Sequence, residues 1–177
     1  LLLNEFSKKQ FQLELSSSKT AKKYLSDRGI NEESIMVFQL GFATSKKDSL
    51  TSNALSKSYK IESLKELGLT NKYDKDFFLN RLIFPIHDEK DKVVGFAGRI
   101  ISDSKHPKYM NSLGSIVYEK GKLLYGLNVA KEIISKKNKC IIVEGYTDAI
   151  SLHQEDIKNT VATGGTALTK EHITLIK

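Results

Sequence analysis

The chain has 177 residues, of which 40% are hydrophobic and 28% are charged, and it carries a formal net charge of +7. This composition predicts a folded chain of one large or two small domains and excludes a mainly disordered protein. The single cysteine, Cys140, excludes an internal disulfide framework and favours a reducing compartment, and without a cysteine and histidine cluster no zinc site is encoded. The positive charge fits a polyanionic partner and equally a basic protein that has none.

The first 68 residues are predicted to form short helices joined by turns. Apolar residues recur at helical spacing in several stretches, and a glycine or a capping residue stands at their ends. The predicted helices are 3–15, 20–28 with Gly29 as its stop, a third capped by Asn31, and two within 53–67 with Gly68 as the stop. Residues 40–43 are predicted to leave the third helix as an extended segment.

A β-hairpin is predicted in the middle of the chain. The runs 82–86 and 93–101 are apolar and rich in β-branched residues, and a charged turn separates them. Pro85 predicts that the first strand is an edge strand or contains a bulge, because proline lacks a donor for the ladder. Gly95 and Gly98 predict a bend or the close approach of another segment.

Cationic residues cluster around this hairpin and in the loop-rich segment after it. Each lies near a glycine, a proline or a strand end, where a rigid sheet can aim it at phosphate groups. The candidates are Arg81, Arg99, Lys108 and Lys120 for phosphate contacts, Tyr109 for stacking on a base, and Asn111 and Ser112 for phosphate or sugar oxygens. For each cation considered alone, a solvated surface charge is the simpler interpretation.

The four histidines are interpreted as surface residues, because none has a nucleophile at the spacing of a catalytic motif. They are His87, His106, His153 and His172.

A domain boundary is predicted after residue 137. A helix is expected over 123–137, and the polar run that follows links it to an apolar strand. This boundary divides the chain into a basic N-terminal subdomain, 1–137, with helices and the central hairpin, and a second domain, 138–177.

The stretch CIIVEGYTD, which ends at Asp148, predicts a ligand site. Cys140 to Val143 fits a short strand buried on both faces, and Gly145 permits a sharp exit into a following helix. Glu144 would then stand at the carboxyl end of a parallel strand, where α/β sheets bind ligands, with Asp148 about one helical turn away. Two carboxylates at that position can hold Mg²⁺, although an acid at a strand end is often only a solvated loop residue.

A second strand is predicted at 159–163. The sequence Gly164-Gly165-Thr166 follows it, and a further helix is expected to start at Thr169. The order strand, acid, helix, strand indicates a βαβ unit with a right-handed crossover.

The stretch CIIVEGYTD and its flanks resemble the Toprim motif shared by DnaG-type primases, topoisomerases and some nucleases. The rest of the chain resembles the catalytic core of the bacterial DnaG-type primases in particular. The blocks that carry this resemblance are YLSDRGI (24–30), FQLGFA (38–43), NRLIFPIHDEKDKVVGFAGRI (80–100), PKYMNS (107–112), YEKGKLLYGLNVAK (118–131), IIVEGYTDAISLHQ (141–154) and VATGGTALTKEHITLIK (161–177). The resemblance implies an α+β N-terminal subdomain followed by the first part of an α/β, Rossmann-like Toprim fold. Where that family usually has Ser-Leu-Gly-Thr, this chain has Thr-Gly-Gly-Thr at 163–166.

The resemblance also implies a nucleotidyltransferase, a DNA-directed RNA polymerase of the primosome. Such a protein makes short RNA primers on a single-stranded DNA template from ribonucleoside triphosphates during DNA replication. The family's metal-binding and catalytic acids fall on Glu144 and Asp148, which implies Mg²⁺ or Mn²⁺ as cofactor. The implied nucleic-acid and nucleotide ligands are Arg81, Arg99, Lys108, Tyr109, Asn111, Ser112, Lys120 and Tyr146.

The family's other parts would lie outside this sequence. They are the zinc module, the Asp-x-Asp strand with the remaining metal ligands, and the region that binds the replicative helicase. The isolated chain is therefore expected to be inactive, and the resemblance implies a place in the bacterial cytoplasm. No apolar run of 18 residues exists, so no membrane partner is expected. Two alternatives remain open: part of a Toprim nuclease or topoisomerase, and a non-catalytic module that binds single-stranded DNA.

Overall fold

The computed structural model describes residues 1–102, 105–113, 115 and 117–177. The N-terminal part of these ranges contains five helices and a four-stranded antiparallel sheet, and a parallel pair of strands with its helices follows. The elements are α1 (Leu2–Ser17), α2 (Lys19–Asp27), α3 (Glu32–Val37), β1 (Gly41–Ala43), α4 (Ser49–Ser56), α5 (Ile61–Glu66), β2 (Arg81–His87), β3 (Val93–Ile100), β4 (Tyr109–Asn111), a 3₁₀ turn (Lys120–Lys122), α6 (Leu127–Lys137), β5 (Ile141–Val143), α7 (Tyr146–Gln154), β6 (Thr160–Ala162) and α8 (Lys170–Leu175). Within these described ranges, no helix combines the length and the apolar character needed to cross a membrane.

The predicted hairpin is confirmed. β2 and β3 pair antiparallel, with Phe84 opposite Ala97, and the sheet has the order β1-β2-β3-β4. β2 is thus an interior strand, so the first predicted alternative, an edge strand, is wrong for it as a whole, whereas the second, a bulge, agrees with a register shift between Ile86 and His87. β1 pairs only with Arg81–Ile83, however, so Pro85 lies where β2 has one neighbour, and a register shift follows in the next two residues. Because β1 does not pair with β2 at Pro85, no hydrogen bond to β1 requires a backbone N–H there, and proline is tolerated.

The two glycines of β3 lie at close approaches, as predicted. A Cβ atom at Gly95 would lie 2.6 Å from Cδ2 of Tyr118, and one at Gly98 would lie 2.6 Å from Cδ1 of Phe78. Both glycines let an aromatic ring pack directly on the strand.

The first helices begin and end by the predicted chemistry. Asn31 starts α3, where its side-chain oxygen accepts a 2.8 Å hydrogen bond from the Ser34 N–H. Gly29, with φ +71°, follows α2 in the left-handed conformation. The Ser18 hydroxyl accepts from the Ala21 N–H, which lets α2 begin directly after α1.

The parallel strands form the predicted βαβ unit. β5 and β6 pair with Ile142 opposite Val161, and α7 connects them. The backbone of Tyr125 exchanges two 2.9 Å hydrogen bonds with Ala162, so this segment lies along β6. In the described part of the chain β6 thus has neighbours on both sides and is buried, whereas β5 has one and is half-buried. The predicted class, α+β followed by the start of an α/β Toprim fold, is confirmed, but the burial of β5 on both faces is wrong.

One hydrophobic cluster spans both parts of the fold. It contains Phe84 from β2 together with Tyr146 and Ile150 from α7. A second cluster joins Ile134 of α6 to Val161 of β6. The boundary after residue 137 stays a prediction, and the packing of side chains continues across it.

Three of the four histidines are buried, so their assignment to the surface is wrong. His153 forms a 2.8 Å hydrogen bond with a backbone carbonyl of β6. His172 completes a capping box with Thr169 at the start of α8, and His87 lies buried at the end of β2. His106 is exposed, as predicted. Tertiary packing buries these three rings, and the spacing of residues in the sequence does not show whether a histidine will be buried.

The burial of His87 predicts a dependence of stability on pH. Desolvation lowers the pKa of its imidazole, outweighing Asp91, Glu5 and Asp88, which raise it, while Lys8 lowers it further. The unfolded chain therefore takes up a proton at about pH 6.5, where the folded chain does not, and the free energy of unfolding falls as the pH drops below that value. Urea denaturation between pH 7.5 and 5 should show this fall, with a shallower slope for His87→Leu. An unchanged slope in that variant would contradict the assignment.

Candidate active-site cleft

A cleft of about 630 Å³ lies between the antiparallel sheet and the carboxyl ends of the two parallel strands. All the predicted site residues except Arg81 and Ser112 line it. The full lining is Arg28, Arg99, Lys108, Tyr109, Asn111, Lys120, Glu144, Gly145, Tyr146, Thr147, Asp148, Gly164 and Gly165. A second cavity, of about 480 Å³ between α6 and α8, has no carboxylate side chain among its described lining residues.

One wall of the cleft is acidic. Glu144 follows β5 directly, Asp148 lies in the first turn of α7, and both side chains are exposed. The Glu144 carbonyl accepts a 3.1 Å hydrogen bond from the Gly165 N–H, which fixes the acid's backbone against the loop after β6. A Cβ atom at Gly145 would lie 2.6 Å from Oδ2 of Asp148. The glycine thus leaves room for the Asp148 carboxylate to lie against the backbone of residue 145.

The cleft also has four cations, which together are called its cationic wall. They are Arg28 at the end of α2, Arg99 on β3, Lys108 before β4 and Lys120 in the 3₁₀ turn. Nζ of Lys120 lies 4.0 Å from the Cβ position of Gly165, so this lysine borders the acidic wall. Burial lowers the pKa of Lys120. These cations come from segments far apart in the sequence, and the fold brings them to one cleft.

The charges of the two walls do not neutralise each other. The ion pairs among the described residues include none of the four cations and neither acid of the cleft. By contrast, Lys122, two residues after Lys120, pairs with Glu119 at 2.8 Å. Charges of both signs in one cleft, without ion pairs between them, suit a ligand that carries both a metal ion and phosphate groups.

Arg81 is placed differently from the other predicted cations. It is buried and lies outside the cleft lining. Its guanidinium donates to three backbone carbonyls, those of Gly98 at 3.1 Å, Pro107 at 2.9 Å and Lys108 at 3.4 Å. These bonds tie the segment before β4 to the sheet, so Arg81 positions Lys108 and Tyr109 rather than facing the cleft itself.

Replacing Arg81 by methionine should lower the free energy of unfolding by about 2 kcal/mol. The carbonyls of Gly98, Pro107 and Lys108 lose the guanidinium as their donor. A carbonyl that stays shielded from water is then left without a hydrogen bond. Urea denaturation measures the effect. Lys22→Met, at an exposed position on α2, is the control and should stay within about 0.5 kcal/mol of the wild type. Equal stabilities for the two variants would contradict the role given to Arg81.

Tyr146 lines the cleft, but its side chain is almost entirely buried. Its ring is buried and stacks on Phe84 at 5.4 Å, and its hydroxyl donates to Asn111 Oδ1 at 2.6 Å. Desolvation, reinforced by nearby tyrosines, raises its pKa far above the usual value, so the phenol stays neutral. The bond to Asn111 links α7, which carries Asp148, to β4 of the cationic wall.

Ser112 is also used within the protein. Its hydroxyl accepts a 2.9 Å hydrogen bond from the Phe96 N–H, and its own N–H donates to the Phe96 carbonyl. The side chain thus extends the pairing of β3 with the segment after β4. Tyr109 is half-buried, and its hydroxyl accepts from Arg99 Nη1 at 2.6 Å.

Several residues of the cleft were not singled out from the sequence. Arg28, Thr147 and the pair Gly164 and Gly165 all line it. The glycines follow β6, a position where parallel sheets bind ligands, and this signal was available in the sequence. Arg28 gave no such signal, because it stands at the end of a surface helix more than 100 residues before the acids.

The acidic wall fits a divalent metal ion in part. Carboxylate oxygens are the ligands that Mg²⁺ prefers, and Glu144 and Asp148 supply them from the same wall. Among the residues that the structure describes, no group of three or more histidine, cysteine or acidic side chains is placed to hold a metal. A magnesium ion also keeps several waters and takes substrate phosphates, so these two acids can form only part of its shell.

Two family models match the chain. The one described as DNA primase catalytic core, N-terminal domain, matches residues 9–131. The one described as Toprim-like matches residues 141–177.

Curated relatives and solved structures agree with these matches. The DNA primase of Clostridium acetobutylicum is 48% identical over 99% of the chain, and that of Helicobacter pylori strain J99 is 44% identical over 94%. The chain spans about 30% of the length of each. The RNA polymerase domain of Mycobacterium tuberculosis primase DnaG has a TM-score of 0.92 at 31% identity, with 99% of this chain and 59% of that one covered. A DnaG primase catalytic domain bound to ssDNA has a TM-score of 0.90 at 34% identity, with 99% and 58% covered.

Proposed function

This chain belongs to the bacterial DnaG-type DNA primases, as part of their catalytic core, and on that premise we propose that it helps to make RNA primers on single-stranded DNA. The substrates in this proposal are ribonucleoside triphosphates, and the reaction is nucleotidyl transfer to a growing 3′-hydroxyl. The observation that carries it is the cleft, which is lined by acids and cations that have no ion-pair partner among the described residues.

The cationic wall accounts for the binding of template and nucleotide. Contacts from arginine and lysine to phosphates position a strand without reading its sequence. Arg28, Arg99, Lys108 and Lys120 are free of carboxylate partners in the described chain, so their full charge is available for this. A solved relative is described as bound to ssDNA, which supports a template in the same fold.

The acidic wall accounts for the chemistry. Glu144 and Asp148 would hold Mg²⁺ or Mn²⁺, together with ligands from outside these residues. When bound, such an ion supplies charge neutralisation at the α-phosphate and a lower pKa for the attacking hydroxyl. Tyr146 keeps the acids in register with β4 through its bond to Asn111.

Primer synthesis by the full-length protein tests the proposal. The protein is incubated with single-stranded DNA, labelled ribonucleoside triphosphates and Mg²⁺ or Mn²⁺, and the products are separated on a sequencing gel. Short RNA that depends on the metal supports the proposal. Cut template without RNA would indicate a Toprim nuclease or topoisomerase instead. Binding of DNA with neither product would leave a module that binds single-stranded DNA.

A further inference from the structure

Two guanidinium groups of the cleft lie close to the same aromatic ring. The ring belongs to Tyr24 on α2, and Cζ of Arg28 lies 5.3 Å from its centroid. Cζ of Arg99, on β3, lies 5.8 Å from the same centroid. Both distances are within the range of a cation–π interaction. Helix α2 is thereby connected to the cationic wall of the cleft through one side chain.

Arg99 is held by aromatic groups rather than by an acid. Its Cζ lies 5.2 Å from the ring centroid of Tyr109, and its Nη1 donates to the hydroxyl of that tyrosine at 2.6 Å. The residue is only 4% exposed, and its Nε has no hydrogen-bond partner in the described structure. A carboxylate could have oriented this arginine but would have cancelled its charge. Two tyrosine rings orient it and leave the charge intact.

Two cations at one aromatic ring leave an anion as the missing partner. No acid is paired with Arg28 or Arg99 in the described chain. Both line the cleft, so an anion bound there can meet both. Planar guanidinium groups match the oxygens of phosphate, which makes a phosphate group the best-fitting ligand.

We propose that Tyr24 is a positioning residue that holds Arg28 and Arg99 as a pair for one phosphate group in the cleft. The inference rests on the proposed function, in which that phosphate belongs either to the nucleotide or to the template. Helix α2 thereby becomes part of the binding site. A role for Tyr24 in packing alone would affect stability without acting through the two arginines.

Equilibrium binding to the full-length protein tests this pair. A fluorescent ATP analogue and a labelled single-stranded DNA are titrated separately by anisotropy. Tyr24→Leu should weaken the binding of at least one of them about tenfold, the size of a strong cation–π contact. Tyr24→Phe keeps the ring and should stay within about twofold of the wild type. Tyr73→Leu is the matched control, because Tyr73 also lies under a cation, Lys72 at 5.0 Å, but is exposed and outside the cleft.

A double-mutant cycle separates positioning from packing. If Tyr24 acts through Arg99, Tyr24→Leu should have little further effect in an Arg99→Gln background. Independent, additive losses would overturn the proposal. A loss for ATP alone assigns the phosphate to the nucleotide, and a loss for DNA alone assigns it to the template. Unchanged binding of both ligands in Tyr24→Leu would also overturn it.

A second cycle leaves Tyr24 untouched, in case Tyr24→Leu does not fold. Arg28→Gln and Arg99→Gln should be coupled in binding if both contact one phosphate, and additivity would overturn the pair. Primer synthesis by the wild type is measured beside both cycles. Loss of primer synthesis with coupled arginines would contradict the proposed function alone. Primer synthesis with additive arginine losses would contradict the pairing alone.

Discussion

Replacing Glu144 by glutamine should reduce primer synthesis by the full-length protein at least about 100-fold, the typical effect of removing one group that stabilises developing charge. Glu144 is exposed, and its side chain has no hydrogen bond or ion pair with the described residues. The substitution therefore leaves the fold intact and removes one negative ligand from the acidic wall. Binding of single-stranded DNA, which depends on the cationic wall, should stay within about twofold of the wild type.

Glu155→Gln is the control for this variant. Glu155 is an exposed acid at the opposite end of α7 and lies outside the cleft, so its replacement should change neither synthesis nor binding. Primer yield on a gel and DNA binding by anisotropy measure the two effects. A Glu144→Gln protein that binds DNA poorly but still makes primers would contradict the division of the cleft into an acidic and a cationic wall.

Replacing Gly164 by alanine should lower the free energy of unfolding by about 2–4 kcal/mol, since two independent costs add. The residue has φ +66°, a left-handed conformation that alanine adopts with strain. A Cβ atom there would also lie 2.5 Å from the hydroxyl oxygen of Tyr146 and 2.8 Å from its Cζ. The buried ring cannot move without disturbing Phe84 and Asn111, so synthesis should fall as well.

The neighbouring glycine provides the control. Gly165 also has a positive φ, +78°, but among the described residues a Cβ atom there would meet only Nζ of Lys120, at 4.0 Å. Gly165→Ala should therefore cost only the backbone strain, about 1 kcal/mol. Combining Gly164→Ala with Tyr146→Phe removes the nearest clashing atom and should recover part of the loss. Urea denaturation of the variants measures these differences, and equal losses at the two glycines would contradict the predicted contact with Tyr146.

Much of the fold could be predicted from local patterns in the sequence. The hairpin, the strand before Glu144 and the cap at Asn31 depend on neighbouring residues, and the structure confirms them. The meeting of Glu144 and Asp148 in one cleft also followed from local geometry, because a strand, a glycine and one helical turn separate them. The positions of these acids depend only on neighbouring residues, so they could be predicted from the sequence.

The remaining errors and omissions concern contacts between distant segments. The pattern around Arg81 shows a cation before a strand, but not the carbonyls of Pro107 and Lys108 that take up its donors. His153 has an ordinary helical position, and only the packing of α7 on β6 turns it inward. Arg28 lines the cleft together with Arg99 of β3, whose Cζ lies 5.8 Å from the ring of Tyr24 on α2, and no periodicity in α2 reveals this long-range contact. Tertiary packing decides these placements.

The binding of ATP with and without Mn²⁺ tests most directly whether the two walls act on one ligand. In the wild-type full-length protein, Mn²⁺ should tighten the binding of a fluorescent ATP analogue. In Glu144→Gln, binding without metal should persist through the cationic wall, but the tightening by Mn²⁺ should be lost. In Arg99→Gln, binding should weaken with and without metal. Equal tightening by Mn²⁺ in Glu144→Gln and wild type, or none in the wild type, would contradict the account of the cleft.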